Sequence, residues 1–287
     1  MARIAYVNGR YVPHREAAVH VEDRGYQFAD GVYEVITVRA GRFVDAGPHL
    51  DRLDRSLGEL RIAPPMDRPA LHHVLREVRR RNRITDGIVY LQATRGVARR
   101  DHPFPAESET ALVVTGSRRA PPNPGILETG VDAVSVPDNR WKRCDIKSVS
   151  LLPNILAKQT AREAGAYEAV FVDEEGFVTE GASTNVWIVT SGGELLTREL
   201  DHGILAGVTR GTVVKLAERL GLSFAERRFT IDEARRAREA FVTSATSFVT
   251  PVVRIDEAVI GNGRPGSTAH ALFEVYARYM EQGDAAA

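Results

Sequence analysis

The sequence predicts an α+β fold in two domains. Short strands and hairpins are followed by helices and then by further strands, without the regular alternation of an α/β fold. With 287 residues, of which 43% are hydrophobic, the chain is long enough for two domains of roughly 100–200 residues each. The clearest change in composition is the proline-rich stretch at 117–125. We therefore predict a small N-terminal domain at 1–118, a linker at 119–125 and a C-terminal domain at 126–287.

The N-terminal part has the patterns of an antiparallel sheet with two helices. Asn8 and Gly9 stand between β-branched and aromatic stretches, which is typical of a type I′ hairpin. Leucines at helical spacing predict one amphipathic helix, and a second helix carries an arginine-rich run on its polar side. The strands expected after the first hairpin are at 32–38, 42–44, 88–94 and 110–115.

The C-terminal part alternates less regularly between strands and helices. Gly165 and Gly221 end two predicted helices, which begin at about Pro153 and at Thr209. Thr230 and Glu233 form a capping box for a short helix. A last helix is expected after 265–267, and strands are expected at 131–136, 168–172, 184–189 and 194–196.

Charge and composition exclude several kinds of partner. The 38 basic and 38 acidic side chains give a net charge of zero, so we expect no nucleic-acid partner. No stretch approaches the roughly 20 apolar residues that span a bilayer, and the first residues lack a signal-peptide core, so we expect no membrane association. The single cysteine, Cys144, excludes an internal disulfide and favours a cytoplasmic location; packing explains it better than a redox switch.

Lys147 has the best setting for covalent chemistry. The chain has four lysines against thirty-four arginines, and only an amine forms an imine (Schiff base) with a carbonyl compound. Lys142, Lys158 and Lys215 have plainer explanations, the last two as solvated side chains on helices. Lys147 lies between a polar strand end and an apolar turn, where desolvation favours the nucleophilic amine. We predict that Lys147 is the reactive residue.

Pyridoxal phosphate is the usual electron sink for such an imine, and the sequence offers its other two requirements. Glu180 enters a loop of small residues, where its carboxylate would keep the ring nitrogen protonated; a turn glutamate in water is the alternative. Residues 205–210 lead into a helix whose free N–H groups suit a phosphate. The hydroxyl-rich loop at 243–247 could supply further donors. Arg52 is a candidate partner for the phosphate, but among thirty-four arginines an ordinary structural role is the favoured alternative on the sequence alone.

A cluster of cationic and imidazole groups at 95–103 follows a predicted strand. Such a cluster would hold a substrate carboxylate by charge-assisted hydrogen bonds. No second metal ligand lies at a suitable spacing, and His72 and His73 point to different sides of a helix, so we predict no metal site. The glycine-rich nucleotide motifs and the serine-hydrolase elbow are missing from the sequence as well.

Six motifs occur together in the order of the fold-type IV pyridoxal-phosphate enzymes, which the chain resembles over nearly its whole length. This family contains branched-chain aminotransferases, D-amino acid aminotransferases and aminodeoxychorismate lyases. The chain resembles D-amino acid aminotransferases most, because Tyr33 lies in a Val-Tyr-Glu-Val strand and Arg100-Asp101-His102 matches their Arg-x-His loop. The six motifs are Asp23-Arg24-Gly25-Tyr26-Gln27-Phe28, Asp30-Gly31-Val32-Tyr33-Glu34-Val35, His49-Leu50-Asp51-Arg52-Leu53, Asp145-Ile146-Lys147-Ser148, Glu180-Gly181-Ala182-Ser183-Thr184-Asn185 and Gly207-Val208-Thr209-Arg210.

The resemblance implies a fold and a role for each matching residue. It implies a smaller N-terminal α/β domain and a larger C-terminal β-barrel-like domain with helices. Lys147 would form the Schiff base with pyridoxal 5′-phosphate, and Glu180 would face the ring nitrogen. Tyr33, Arg100 and His102 would bind the substrate carboxylate. The loop that carries Arg100 and His102 would reach over from the neighbouring subunit of a homodimer. The other implied cofactor-binding residues are Arg52, Ser183, Thr184, Asn185, Val208, Thr209, Ala245 and Thr246.

Two positions depart from the family pattern. Ala29 stands where the family commonly has glycine, which alters a turn. Ala245 stands where D-amino acid aminotransferases often have threonine. The missing hydroxyl removes a phosphate donor, so it bears on cofactor affinity rather than on reaction type.

We therefore predict an aminotransferase that moves the amino group of a D-amino acid, such as D-alanine, to a 2-oxo acid, such as 2-oxoglutarate, with ping-pong kinetics. The alternatives are a branched-chain L-amino acid aminotransferase, an R-selective amine transaminase and an aminodeoxychorismate lyase. A pyridoxal-phosphate-binding protein without turnover is disfavoured, because the proposed base, ring partner and substrate-binding residues are all present.

Overall fold

The chain, described in a computed structural model over residues 3–120 and 125–282, divides into two compact units. Unit 1 comprises the described residues of Met1–Pro121, Ile146–Ser150 and Glu281–Ala287, and unit 2 those of Pro122–Asp145 and Leu151–Met280. The domain limits at 118 and 126 stay a prediction, and residues 121–124 of the predicted linker lie outside the described residues. The sequence did not predict that Ile146–Ser150 belongs to unit 1.

Unit 1 contains, in its described residues, a six-stranded sheet in the order β2-β1-β6-β5-β3-β4, and every neighbouring pair is antiparallel. The strands are β1 (Ile4–Val7), β2 (Arg10–Pro13), β3 (Gly31–Arg39), β4 (Arg42–Phe43), β5 (Gly87–Thr94) and β6 (Ala111–Arg118). The helices are α1 (Arg24–Phe28), α2 (Ala46–Glu59) and α3 (Arg68–Arg81), with a 3-10 turn at His14–Glu16.

Local sequence explains most of unit 1. Asn8 and Gly9 have φ angles of 42° and 89°, as a type I′ turn requires, and they join β1 to β2. The leucines of α2 and the apolar residues of α3 are buried in one core with the inward side chains of the sheet. Asp67 caps α3 by accepting a hydrogen bond from the backbone N–H of Ala70 at 2.8 Å. The hairpin and both helices confirm the sequence prediction.

Ala29 follows α1 and has a left-handed backbone, with a φ of 56° and a ψ of 27°. Its N–H bonds the carbonyls of Arg24 and Gly25, which closes the helix. A side chain in this conformation is strained by about 1–2 kcal/mol. The glycine that the family commonly has here would avoid that strain.

Unit 2 contains, in its described residues, a curled, mixed nine-stranded sheet in the order β12-β11-β10-β13-β14-β7-β8-β9, with β15 beside β14. The strands are β7 (Val131–Pro137), β8 (Glu168–Val172), β9 (Val178–Gly181), β10 (Asn185–Val189), β11 (Leu195–Thr197), β12 (Phe224–Glu226), β13 (Glu239–Ser244), β14 (Phe248–Ile255) and β15 (Ala258–Val259). The helices are α4 (Ile126–Thr129), α5 (Leu152–Glu163), α6 (Val208–Arg219), α7 (Ile231–Arg235) and α8 (Ser267–Gln282).

Burial and helix capping explain several of the strands and helices of unit 2. Strands β8 and β10 are buried along almost their whole length, which explains their continuous apolar runs. Thr230 and Glu233 form the predicted capping box of α7. The buried Glu239 accepts hydrogen bonds from the backbone N–H groups of Thr268 and Ala269 at the start of α8.

The α+β class is thus confirmed. The sequence analysis did not predict helices α1 and α4 or strands β9, β12, β14 and β15. No helix among residues 3–120 and 125–282 is both long enough and apolar enough to cross a membrane.

Candidate active site

The segment that carries Lys147 is held against β3 by main-chain hydrogen bonds. The N–H of Tyr33 donates to the carbonyl of Lys147 at 3.0 Å, and the N–H of Val149 donates to the carbonyl of Gly31 at 3.0 Å. The N–H of Lys147 also donates to the hydroxyl of Ser56 on α2 at 3.2 Å. The backbone of Lys147 is therefore fixed relative to the strand that carries Tyr33.

The side chain of half-buried Lys147 lies beside the ring of Tyr33. Its Nζ atom is 4.3 Å from the ring centroid. Tyr33 in turn stacks on Tyr90 with centroids 5.6 Å apart. Burial, with the neighbouring Tyr33, raises the pKa of Tyr90 to about 12, and its hydroxyl donates to Gln92 at 2.7 Å. The stacked ring orients Tyr33, and the structure brings two of the predicted site residues together.

The other lysines have the structural settings of ordinary side chains. Lys142 and Lys215 are exposed. Lys158 was expected to be solvated, but its Nζ bonds the buried carboxylate of Glu168 at 2.9 Å and the carbonyl of Tyr167 at 3.0 Å. The side chain of Lys158 is 37% exposed, as expected for a solvated lysine, but its bond to the buried Glu168 was not predicted, because the two residues are brought together by the fold.

Arg52 belongs to a buried cluster with Glu34 and His49. Its Nε and Nη2 atoms donate to the two oxygens of Glu34 at 2.7 and 2.8 Å. His49 Nδ1 lies 2.7 Å from Glu34 Oε2, so this nitrogen carries the proton. Burial lowers the pKa of His49 and would raise that of Glu34, but Arg52 and His49 hold the pKa of Glu34 at about 2. Glu34, which the sequence analysis did not single out, thus fixes the guanidinium of Arg52.

Arg100 and His102 lie on the exposed loop of residues 99–104, called the carboxylate loop below. Both contact the ring of Phe28: Arg100 Cζ is 5.0 Å from its centroid, and the His102 ring centroid is 5.6 Å away. Within residues 3–120 and 125–282, neither has a described contact with Tyr33. The structure brings these two residues together and leaves Tyr33 apart from them.

Glu180 lies in β9 and is 7% exposed, so the expected loop and the water-exposed alternative are both wrong for this residue. One oxygen pairs with Arg140. The other accepts hydrogen bonds from the backbone N–H of Leu205 at 3.1 Å and from the amide of Asn185 at 3.4 Å. The carboxyl group of Glu180 is therefore held by donors from three different parts of unit 2.

Arg140 is a candidate site residue that the sequence analysis did not single out. Its side chain is buried, pairs with Glu180, and bonds Asp138 at 2.7 Å and the carbonyl of Gly203 at 3.1 Å. Burial alone would raise the pKa of Asp138, yet the hydrogen bonds and charge of Arg140 lower it. Nothing in the sequence distinguishes Arg140 among thirty-four arginines, because its partner Glu180 is forty residues away in the chain.

Ser183 and Thr184 are tied to a second buried acid in unit 2. Their hydroxyls donate to Glu168 Oε2 at 3.3 and 3.1 Å. Glu168 is fully buried, and Thr184 is 6% exposed, whereas Ser183 is exposed. These hydrogen bonds attach the loop that follows Glu180 and β9 to the first residue of β8.

Helix α6 begins at Val208, one residue before the predicted start at Thr209. Its N-cap, Gly207, has no side chain to cap the helix, and the first N–H groups of a helix can donate hydrogen bonds to an anion. A Cβ atom at Gly207 would lie 2.0 Å from Asn185 Oδ1, so only glycine permits this close approach. The helix start therefore has the features of the predicted phosphate site.

The turn with Ala245 and Thr246 is organised by one hydroxyl. Ser244 Oγ accepts hydrogen bonds from the backbone N–H groups of Thr246 and Ser247 at 3.3 and 3.1 Å. The hydroxyl of Thr246 lies 3.4 Å from the same oxygen. Ala245 contributes no hydroxyl here, so the hydroxyl groups of this turn belong to Ser244, Thr246 and Ser247, whose oxygen lies 2.7 Å from that of Ser244.

Cys144 is half-buried, and its thiol donates to the carbonyl of Trp141 at 3.1 Å. Burial raises the pKa of the thiol to about 12, which disfavours the reactive thiolate. This supports packing over a redox switch. Among the described residues, no group of three or more His, Cys, Asp or Glu side chains could hold a metal ion.

Comparisons with known proteins place the chain in a family. The model of amino-transferase class IV matches residues 31–255. The chain belongs to this family, as the sequence analysis expected. It is 38% identical to a D-alanine aminotransferase of Staphylococcus haemolyticus, covering 96% of this chain and 97% of that protein. A D-alanine aminotransferase of Bacillus licheniformis is 41% identical over 90% of each chain.

Solved structures agree with this assignment at the level of fold. A T.th. branched-chain amino acid aminotransferase with pyridoxamine 5′-phosphate has a TM-score of 0.89 and 29% identity, covering 97% of this chain and 94% of that one. The branched-chain aminotransferase of Thermoproteus uzoniensis with norvaline has a TM-score of 0.88 and 26% identity over 99% and 97%. The two-domain α+β fold of the family is therefore shared.

Proposed function

We propose that this enzyme transfers the amino group of a D-amino acid such as D-alanine to a 2-oxo acid such as 2-oxoglutarate. The observation that carries the proposal is the position of the Lys147 amine, 4.3 Å from the ring centroid of Tyr33. Tyr33 lies on β3, in the sequence Val-Tyr-Glu-Val. Curated D-alanine aminotransferases that match almost the full length support the same substrate class.

The cofactor is pyridoxal 5′-phosphate, which supplies an aldehyde that links to an amine and a ring that withdraws electrons from it. The chain has groups that fit each part. Lys147 would bind the aldehyde, and the carboxylate of Glu180 would hold the ring nitrogen protonated. Arg52 and the N–H groups of Val208 and Thr209 would bind the phosphate, with Ala245 and Thr246 beside them. Ser183, Thr184 and Asn185 complete the proposed cofactor contacts.

Substrate binding is proposed at Tyr33, Arg100 and His102. Arginine and imidazolium hold a carboxylate by charge-assisted hydrogen bonds. Arg100 and His102 are exposed and contact Phe28, which leaves their polar ends available to a carboxylate. We propose that the enzyme is a homodimer in which the carboxylate loop reaches the partner subunit's site.

Lys147 has a second proposed role as the group that moves the proton. With the amino donor bound beside it, the Nζ of Lys147 would take the proton from the donor Cα. The side of the donor facing Nζ decides which enantiomer reacts, because the bound carboxylate fixes the orientation. Donor and acceptor use the same site in turn, so we expect ping-pong kinetics. A cytoplasmic location is proposed on the single, half-buried Cys144.

A branched-chain L-amino acid aminotransferase is the second candidate, favoured by the structural likeness to such enzymes. The two are separated by their donors. We expect turnover with D-alanine and 2-oxoglutarate and little with L-leucine; turnover with L-leucine alone would reject the D-specific proposal.

Lys147→Ala tests the attachment point. The variant should lose the visible absorbance of the bound cofactor, and borohydride reduction of the wild type should leave the pyridoxyl label on the peptide containing Lys147. Lys142→Ala is the matched control, because this exposed lysine lies five residues earlier and should keep both absorbance and activity. A label on another lysine would overturn the assignment.

A further inference from the structure

We propose that Arg24 and Phe28 are positioning residues that set the geometry of the carboxylate loop. The inference rests on the proposed function, in which Arg100 and His102 bind the substrate carboxylate. Both positioning residues lie on α1, and neither is among the proposed substrate-binding groups. All the contacts that carry the inference lie within unit 1.

The buried side chain of Arg24 bonds the main chain of the carboxylate loop. It is 3% exposed, and its Nη1 atom donates to the carbonyl of Asp101 at 2.6 Å. Its Nη2 atom donates to the carbonyl of His102 at 3.3 Å. The rigid fork of a guanidinium fits two successive carbonyls, which a lysine ammonium would not match. One buried side chain therefore holds the backbone carbonyls of both Asp101 and His102.

The ring of Phe28 contacts both Arg100 and His102. Arg100 Cζ lies 5.0 Å from the ring centroid, and the His102 ring lies 5.6 Å away at an angle of 51°. Arg24 Cζ also lies 4.8 Å from the centroid. Cations and rings at such distances attract each other. The shared ring limits how far apart Arg100 and His102 can move, although both are exposed.

Asp30 fixes Arg24 from the other side. Arg24 Nε bonds Asp30 Oδ2 at 2.8 Å, and Arg95 bonds both oxygens at 2.7 and 2.9 Å. Burial alone would raise the pKa of Asp30, but hydrogen bonds and charges of the two arginines lower it, so the carboxylate stays charged. Arg95 also donates to the carbonyls of Leu60 and Arg61 after α2. The carboxylate loop is thus bonded to Arg24, which belongs to a network of ion pairs with Asp30 and Arg95.

This network matters to binding because an exposed loop must otherwise be ordered when the substrate arrives. Ordering a long, exposed side chain on binding costs conformational entropy. Groups already held in place avoid this loss, and small displacements of positioning groups weaken binding or rate. The arrangement therefore acts on substrate affinity and leaves the proposed cofactor contacts untouched.

The test compares Arg24→Lys and Phe28→Leu with the wild-type holoenzyme. Arg24→Lys keeps a charge beside Asp30 but loses the fork to the two carbonyls. Phe28→Leu keeps apolar bulk but loses the ring. We expect the KM for D-alanine to rise about tenfold in Arg24→Lys and about threefold in Phe28→Leu. The dissociation constant of the cofactor, titrated into the apoenzyme, and the kcat should stay within about twofold of wild type.

Arg99→Gln is the matched control, because it removes an exposed arginine of the same loop and should leave KM unchanged. Arg100→Gln reports on the proposed function itself and should raise KM at least as much as Arg24→Lys. If Arg100→Gln raises KM but both positioning variants leave it unchanged, the inference is overturned and the proposed function stands. If Arg100→Gln has no effect, the carboxylate site and the inference fail together.

Two further outcomes are decided by the same measurements. Should Arg24→Lys fail to fold, Phe28→Leu alone decides the inference. Parallel losses of cofactor affinity, Tm and kcat without a selective rise in KM would show a purely structural role and overturn it. A wild-type enzyme that used only L-amino donors would reject the D-specific function; the KM comparison with that donor would then decide the positioning role separately.

Discussion

Each unit has a buried carboxylate paired with an arginine, but the two pairs have opposite roles. In unit 1, Glu34 is fully buried, and both its oxygens are bonded by Arg52 and His49. In unit 2, Glu180 is 7% exposed and paired with Arg140, which also bonds Asp138. In the proposed function Arg52 and Glu180 contact the cofactor. The first carboxylate therefore positions an arginine, and the second arginine positions a carboxylate.

The difference shows why a charge pair alone does not identify the functional partner. A buried ion pair is weak support for stability, yet removing one member leaves the other charged group unpaired. In the first pair the carboxylate has no remaining role once Arg52 is placed. In the second, Arg140 is held by Asp138 as well and can stay fixed while Glu180 faces a ligand. The following predictions test this distinction, from the largest expected effect to the smallest.

Glu180→Gln should lower kcat about 10²–10³-fold, as the loss of a preorganised charge at a reacting centre does. A neutral amide cannot keep the ring nitrogen protonated, although its shape is almost the same. Steady-state kinetics with D-alanine and 2-oxoglutarate measure the effect. Glu175→Gln, an exposed glutamate of the same unit, is the control. A kcat within twofold of wild type would remove Glu180 from the ring-nitrogen role.

Glu34→Gln should destabilise the protein by about 3 kcal/mol, because it leaves the buried Arg52 without its carboxylate. It should also weaken cofactor binding, since the guanidinium is no longer oriented. Urea unfolding and cofactor titration measure the two effects. Glu16→Gln, in an exposed pair with Arg15, should cause no measurable change. Equal stability of the two variants would contradict the positioning role of Glu34.

Acid should remove part of the Glu34 contribution. Its pKa is about 2 in the folded protein against 4.5 ordinarily, so its stabilisation is present above pH 4.5 and is lost as the pH falls toward 2. Between pH 5.5 and pH 3.5 the wild type should therefore lose about 1.3 kcal/mol more than Glu34→Gln. Urea unfolding of both proteins at the two pH values gives this difference. Parallel losses would mean that Glu34 is not the titrating group.

Ala29→Gly should stabilise the protein by about 0.5–1 kcal/mol, since it relieves the left-handed strain but adds entropy to the unfolded chain. Thermal unfolding should show a higher Tm. Ala17→Gly is the control, because Ala17 has an extended backbone with a φ of −68° and should lose stability when changed. A lower Tm for both variants would show that the turn after α1 is not strained.

Local sequence patterns predicted elements well where neighbours in the chain decide the structure. The Asn8-Gly9 hairpin, the striped helices α2 and α3 and the capping box of α7 depend on contacts within a few residues. Strand β9 was missed because its residues, Val178–Gly181, include a charge and a terminal glycine that suggest a loop. Its burial between other parts of unit 2 overrides that local pattern.

The site was predicted by residue type more than by environment. Lys147 stood out because so few lysines occur, and the family motifs located Glu180 and Arg52. Their partners Arg140 and Glu34 could not be selected, because each is one member of a large class of charged residues. Only the fold decides which of them is buried and paired.

The sequence by itself predicted most of the helices and the longer strands, singled out Lys147 as the candidate amine and determined the family, since these follow from chemistry and spacing along the chain. The tertiary structure alone decided that the Lys147 segment joins β3, that Arg24 holds the carbonyls of Asp101 and His102, and that Glu180 is buried. These contacts join residues far apart in sequence, and their strength comes from burial, which local patterns do not specify.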